Sequence, residues 1–105
     1  MEHNPDRWLV LKITNGDDAL YKVFGTWLGG YLDGDSWRMN SGITSIGEDG
    51  DYWLFRGASG SVYRCHKEGI GASGYTSAVL NGMMKRAQNE GFTIEVVEDV
   101  DLILL

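Results

Sequence analysis

Apolar and polar residues alternate along the first quarter of the chain, which predicts a β-hairpin. Residues 7–14 place three aliphatic side chains on one face of a strand and a mixed set on the other. Asn15-Gly16-Asp17-Asp18 is a turn sequence, because Asn-Gly tolerates the positive φ that tight hairpin turns need. The chain then returns as a second strand over residues 19–27.

The stretch from Gly42 to Lys67 predicts a three-stranded antiparallel meander. Its three β-prone runs are separated by two turn clusters, Gly47–Asp51 and Gly57–Gly60, and Asp-Gly between apolar runs is a strong hairpin signal. The middle run carries large side chains on both faces, which predicts a central strand. Between hairpin and meander, residues 25–34 are rich in glycine, which favours a bulge or sharp bend, and residues 36–45 resume as strand.

An apolar stripe at 3.6-residue spacing predicts one amphipathic helix in the C-terminal half. Its N-cap is Ser73 or Thr76, and Gly91 is the expected left-handed residue at its end. The stripe consists of Val79, Leu80, Met83, Met84 and Ala87. A last strand follows over residues 92–98, with an inward face made of Phe92, Ile94 and Val96.

These elements predict one α+β domain over residues 1–105, with a five- to six-stranded, mostly antiparallel sheet built from the hairpin and the meander. We expect the single helix to pack across one face of this sheet and the opposite face to stay partly open. The sheet residues expected under the helix are Leu9, Leu11, Val23 and Phe55. The apolar tail Leu102–Leu105 predicts an added strand or a contact between copies of the chain, as in an oligomeric structural component.

Charge and cysteine content narrow the partners and the setting. Fifteen acidic against nine basic residues give a formal net charge of −6, and five carboxylates but no Lys or Arg lie from Asn89 onward. Nucleic acid is a poor ligand for such a chain, so a protein with a basic surface is the more natural partner, although acidic solubility alone also explains the charge. The single cysteine, the polar first residues and the lack of a long apolar run predict a cytoplasmic protein with no membrane span.

Residues Gly69, Gly71 and Gly74 match the G-x-G-x-x-G pattern between a strand and a helix. In dinucleotide-binding folds such glycines let the backbone approach a pyrophosphate at the helix N-terminus. Here the preceding strand is polar and Glu68 lies beside the first glycine, where it would repel phosphate. Nucleotide or small-ligand binding at this loop is therefore the alternative to a plain connection between sheet and helix.

No set of residues in the sequence predicts catalysis, a metal or a cofactor. Cys65 and His66 are neighbours on a strand and face opposite sides, so they cannot act as nucleophile and base together. We expect Cys65 to be buried and His66 to lie at the surface. Asp33-Gly34-Asp35 begins like a calcium loop, but the residue types that follow do not continue the pattern.

Aromatic, acidic and basic residues cluster in and after the glycine-rich bend. Trp, Tyr and Arg are enriched at binding hot spots, and loops held on a sheet are common binding sites. The predicted partner-binding residues are Trp27, Tyr31, Asp33, Asp35, Trp37 and Arg38. The alternative is that these tryptophans complete a small core.

The sequence therefore favours a non-catalytic protein-binding module. By size and charge it suits a small acidic inhibitor or adaptor, such as a phage accessory or anti-defence (anti-CRISPR-like) protein acting on a basic host protein surface.

Overall fold

The structure, a computed structural model, describes residues 1–29 and 34–100. In chain order its elements are β1 (Glu2–His3), β2 (Arg7–Asn15), β3 (Asp18–Trp27), β4 (Ser36–Met39), β5 (Ile43–Asp49), β6 (Tyr52–Gly57), β7 (Val62–His66), α1 (Gly74–Asn89) and β8 (Thr93–Val97). Within these residues no helix has the length and apolar character of a membrane span.

The strands form two four-stranded sheets. The central sheet has the order β4-β3-β2-β8, and the meander sheet has the order β1-β7-β6-β5. Among these eight strands, each pairing is antiparallel except that of β1 with β7, and a single parallel bridge joins Trp8 to Ile70. The predicted α+β class, the first hairpin, the meander and the central place of β6 are confirmed.

The split into two sheets differs from the expected single sheet, and it occurs at residues 40–42. Residues 36–39 pair with β3 in the central sheet, whereas the chain from Ile43 onward pairs with β6 in the meander sheet. Gly42, with a φ of 130°, lies at the crossing. The run from 36 to 45 is therefore two strands in different layers.

The central sheet is the middle of three layers because both of its faces are apolar. Trp8 and Val10 of β2 pack with the meander sheet, whereas Leu9 and Leu11 of the same strand pack with the helix. The meander covers the sheet face that we expected to be partly open.

Two of the residues expected to contact the helix do not, because they pack where the meander covers the central sheet. Val23 and Phe55 belong to the core between the two sheets, not to the core under the helix. On β8, Ile94 does pack towards the helix, but Val96 is 38% exposed and Val97 packs in the core between the sheets.

Helix α1 begins and ends at the residues that the sequence indicates. Ser73 is the N-cap, and its side chain and that of Thr76 form a reciprocal capping box. At the other end Gly91 has a φ of 86°, and the Gly91 and Phe92 amides donate to the Gln88 and Ala87 carbonyls. This pair of hydrogen bonds is a Schellman motif.

Thr76 also joins the helix to the central sheet. Its hydroxyl is fully buried and accepts a 2.9 Å hydrogen bond from the Thr26 hydroxyl of β3. It accepts a second from the Ser73 amide at 2.9 Å. One hydroxyl therefore fixes both the start of the helix and its position on the sheet.

We predict that Thr76→Val lowers the free energy of unfolding by about 1–3 kcal/mol, because it leaves the buried Thr26 hydroxyl and the partly buried Ser73 amide without their partner. Denaturant unfolding measures the change. Ser77→Ala, on an exposed position of the same helix, is the control and should change stability by no more than about 0.5 kcal/mol. Equal losses in the two variants would contradict the role assigned to Thr76.

A second pair of variants tests the crossing between the sheets. A Cβ on Gly42 would lie 2.9 Å from Leu20 Cδ1 in a backbone conformation that disfavours side chains, so Gly42→Ala should destabilise the fold by about 1–3 kcal/mol. Gly82 lies inside α1 with an ordinary φ, so Gly82→Ala should stabilise it by up to about 1 kcal/mol. Shifts of the same sign in thermal unfolding would contradict this assignment.

Candidate functional site

A groove opens where the edge strands β1 and β4 face each other across the two sheets. It has two adjoining parts, of about 440 and 480 Å³, which share His3 and Arg38. We call it the edge groove. The first part is also bordered by Glu2, Asn4, Trp27, Ser36 and Trp37, and the second by Lys22, Met39, Asn40, Ser41, Ser59, Ser61 and Tyr63.

Aromatic rings hold His3 in the edge groove. The imidazole lies 4.8 Å from the Tyr63 ring and 6.4 Å from the Trp27 ring, centroid to centroid. Tyr63 is buried in the core between the sheets, and Trp27 packs against that core. The His3 ring therefore packs against side chains of the core between the sheets.

The charged side chains at the second part of the groove are cationic. Arg38 and Lys22 border it, and neither forms an ion pair with any of residues 1–29 and 34–100. The ion pairs seen in that part of the chain, Lys67 with Glu48 and Arg64 with Asp49, are on the meander sheet. Partial burial and the positive charge of Arg38 both lower the pKa of His3.

Asn40 places an unsatisfied donor at the same part of the groove. The residue is 5% exposed, and its Oδ1 accepts a 2.9 Å hydrogen bond from the Val23 amide. This bond fixes the amide orientation, because only the oxygen can accept. Nδ2 is buried and has no hydrogen-bond partner among the described residues.

Of the predicted partner-binding residues, Trp27, Trp37 and Arg38 border the first part of the edge groove, but the two tryptophans pack on opposite faces of the central sheet. Trp37 stacks on Phe24 at 5.6 Å with 17° between the rings and is 39% exposed on the helix side of the central sheet. Trp27 packs on the opposite face, in the core between the sheets, although both tryptophans border the groove.

Asp35 has a structural contact of its own. It accepts a 2.9 Å hydrogen bond from the Gly29 amide, and this bond, with a second from the Ser73 side chain, lowers the pKa of the carboxyl. Tyr31 and Asp33 lie outside the described residues.

Sequence reasoning did not single out His3, Asn40 and Tyr63 as site residues. Asn40 lies inside a stretch with strand character, and nothing in the local pattern marks it as the residue where the chain changes sheets. These residues come together only in the folded chain. β1 joins the meander sheet by a two-residue parallel pairing, which hydrophobic periodicity cannot indicate.

The Gly69–Gly74 loop uses its amides within the protein. Gly69 donates to the His66 carbonyl and Gly71 to the Trp8 carbonyl, and the Trp8 amide donates to the Gly69 carbonyl. Gly74 is the first residue of α1. The amides of two of the three motif glycines, which a phosphate would need as donors, are thus hydrogen-bonded to β7 and β2.

Cys65 is buried, and burial strongly raises the pKa of its thiol. The thiolate, which is the reactive form, is therefore disfavoured. His66 is half-buried, and its Nδ1 accepts a hydrogen bond from the Glu68 amide. Residues 1–29 and 34–100 contain no group of three His, Cys, Asp or Glu side chains that could hold a metal ion.

Comparison of the chain with models of protein families, with curated proteins and with solved structures found no match. The site is interpreted from its own geometry.

We predict that the pKa of His3 lies below the ordinary value of about 6.5 and that Arg38→Gln raises it part of the way back, since desolvation, the larger cause, remains. An NMR titration of the ring protons measures both values. Arg64→Gln removes the same charge from a side chain paired with Asp49, and it should leave the His3 pKa unchanged.

The same shift predicts the direction of the pH dependence. Because the unfolded chain binds the His3 proton more tightly, the contribution of His3 to the free energy of unfolding is complete above about pH 6.5 and decreases as the pH falls towards the folded-state pKa. A His3 pKa at the ordinary value, or equal His3 titration curves in wild type and Arg38→Gln, would contradict the electrostatic effect of Arg38 on His3.

Proposed function

We propose that this protein is a non-catalytic binding module that recognises an extended, acidic segment of another protein along β4 and the edge groove. The observation that carries the proposal is Trp37, a large aromatic side chain left 39% exposed on an edge strand. Tryptophan beside arginine is the composition of a binding hot spot. An edge strand also offers unpaired main-chain groups to an extended partner.

Within residues 1–29 and 34–100, β4 pairs only with β3, so the other side of its backbone has no partner strand among these residues. The four side chains of β4 alternate between the two faces of the sheet. Trp37 faces the helix side, and Arg38 borders both parts of the edge groove. A strand laid along β4 would contact the indole with one side chain and the guanidinium with the next.

Charge favours an acidic segment at the second part of the edge groove, whereas Glu2 borders the first part. Arg38 and Lys22 have no ion-pair partner in the described part of the chain, and a carboxylate from the bound segment would supply one. The acidic side chains that suggested a basic partner are elsewhere: Glu95 and Glu98 are exposed on or just after β8, the opposite edge of the same sheet. A basic surface would therefore bind at β8, and an acidic one at β4.

A role in binding, not catalysis, agrees with the chemistry of the reactive groups. The Cys65 thiol is buried with a raised pKa, and the amides of Gly69 and Gly71 are already hydrogen-bonded. No observation favours the nucleotide alternative, and the Leu102–Leu105 tail invoked for an oligomer lies outside the described residues. We also propose a cytoplasmic setting, since Cys65 has no second cysteine among these 105 residues, and an inhibitor or adaptor role.

Selection from a library of displayed random peptides on the full-length protein tests the proposal. We expect enriched peptides to be extended and acidic. Trp37→Ala should weaken their binding by about 2 kcal/mol, roughly thirtyfold in dissociation constant, as for a hot-spot residue. Isothermal titration calorimetry on synthetic peptides measures the change.

Tyr75→Ala is the matched control, because Tyr75 is an aromatic residue of α1 with 57% exposure. It should leave peptide affinity unchanged. Peptides that bind both variants equally well would place the binding surface elsewhere, and a selection without enrichment would contradict recognition of an extended segment.

A further inference from the structure

We propose that the second part of the edge groove is a binding site for an oxyanion group, a carboxylate or a phosphate, held by Asn40 Nδ2, Arg38 and Lys22. This proposal rests on the proposed function in one respect only, which is the identity of the molecule that carries the anion. No residue of it was expected from the sequence as an anion ligand.

Asn40 is the strongest evidence, because only the oxygen of its side-chain amide has a hydrogen-bond partner among the described residues. Oδ1 is bonded to the Val23 amide, and the Asn40 amide donates to the Val23 carbonyl at 3.1 Å. Nδ2 is left buried without a partner in the described residues. An unpaired buried donor is costly and rare in folded proteins, so an acceptor oxygen brought by a ligand would remove that cost.

The neighbouring charges have the sign that an anion requires. Arg38 and Lys22 border this part of the groove together with Asn40. Both cations lack a carboxylate partner in the described residues, although the protein as a whole is acidic. Arg38 helps to lower the pKa of His3, and its positive charge opposes the larger rise that burial gives to the pKa of Tyr63.

The second part of the edge groove, of about 480 Å³, also contains further hydrogen-bond donors. A Cβ on Gly57 would lie 3.4 Å from Nδ2 and 3.0 Å from the Ser41 hydroxyl, so a larger residue at position 57 would crowd both groups. Ser41, Ser59 and Ser61 line the same part of the groove, and the Ser41 oxygen accepts from the Ser59 amide at 2.9 Å. Hydroxyls donate as well as accept, so they can serve an oxyanion.

The test is an NMR titration of the full-length protein with inorganic phosphate and, separately, with acetate, at pH 7 and constant ionic strength. We expect saturable shifts of the Asn40 side-chain NH₂ signals with a dissociation constant on the order of millimolar. Saturation by phosphate alone identifies a phosphate-bearing ligand. Saturation by acetate identifies the carboxylate that an acidic partner segment would bring.

Arg38→Gln should raise the dissociation constant roughly tenfold or more, the change expected when a hydrogen bond to a charged group is lost. Arg38 is exposed, so this variant should fold. Arg64→Gln removes the same charge from a residue that does not border the groove and should leave binding unchanged. Asn40→Asp keeps the acceptor for the Val23 amide, replaces the donor by a carboxylate, and should abolish binding.

The absence of a saturable Asn40 shift would overturn the proposal, as would equal weakening by Arg38→Gln and Arg64→Gln. The outcome is separate from that of the peptide selection. Anion binding without enriched peptides would support the anion site and contradict the protein-binding function. Enriched peptides without anion binding would support the protein-binding function and contradict the anion site.

Discussion

The fold depends on β2 being apolar on both faces. A strand with Trp8 and Val10 on one side and Leu9 and Leu11 on the other cannot have a solvent-exposed face without a large cost, since full burial of each such side chain contributes about 1.5–3 kcal/mol. The sheet that contains it must be covered twice. Helix α1 covers one face and the meander sheet covers the other, so the two cores and the order of the layers follow from this strand.

Covering both faces leaves the edges as the accessible parts of the central sheet. At β1 and β4 the edge strands have only two and four residues, and the gap between the layers opens there as the edge groove. Asn40 lies where the chain leaves one sheet for the other, and its backbone and side chain both bond to Val23. The residue that makes the crossing possible is therefore also the one with a spare donor at the groove.

Elements with a local cause could be predicted from the sequence, whereas contacts between layers could not. Gly16 and Gly50 fix the hairpins because glycine readily adopts the positive φ that both have, and Ser73 and Gly91 fix the helix for equally local reasons. Whether residues 36–45 form one strand or two depends on which sheet each half joins, and no periodicity encodes that. The aromatic cluster was found in part: Trp37 is exposed, but Trp27 is on the opposite face, and the groove residues His3 and Asn40 meet only in the folded chain.

Net charge does not indicate which part of the surface a ligand would contact, because charges act over short distances in salt solution. Charges on a protein surface are screened over about 8 Å at physiological ionic strength, so a ligand responds to the side chains around it and not to the total of −6. Glu95 and Glu98 are at the β8 edge, whereas Arg38 and Lys22 border the groove at the other side of the sheet. Two surfaces of opposite sign can therefore coexist on one small domain. The cationic one lies next to the exposed Trp37 and to the buried Asn40 Nδ2, which has no hydrogen-bond partner among the described residues, and the proposed ligand site rests on these features.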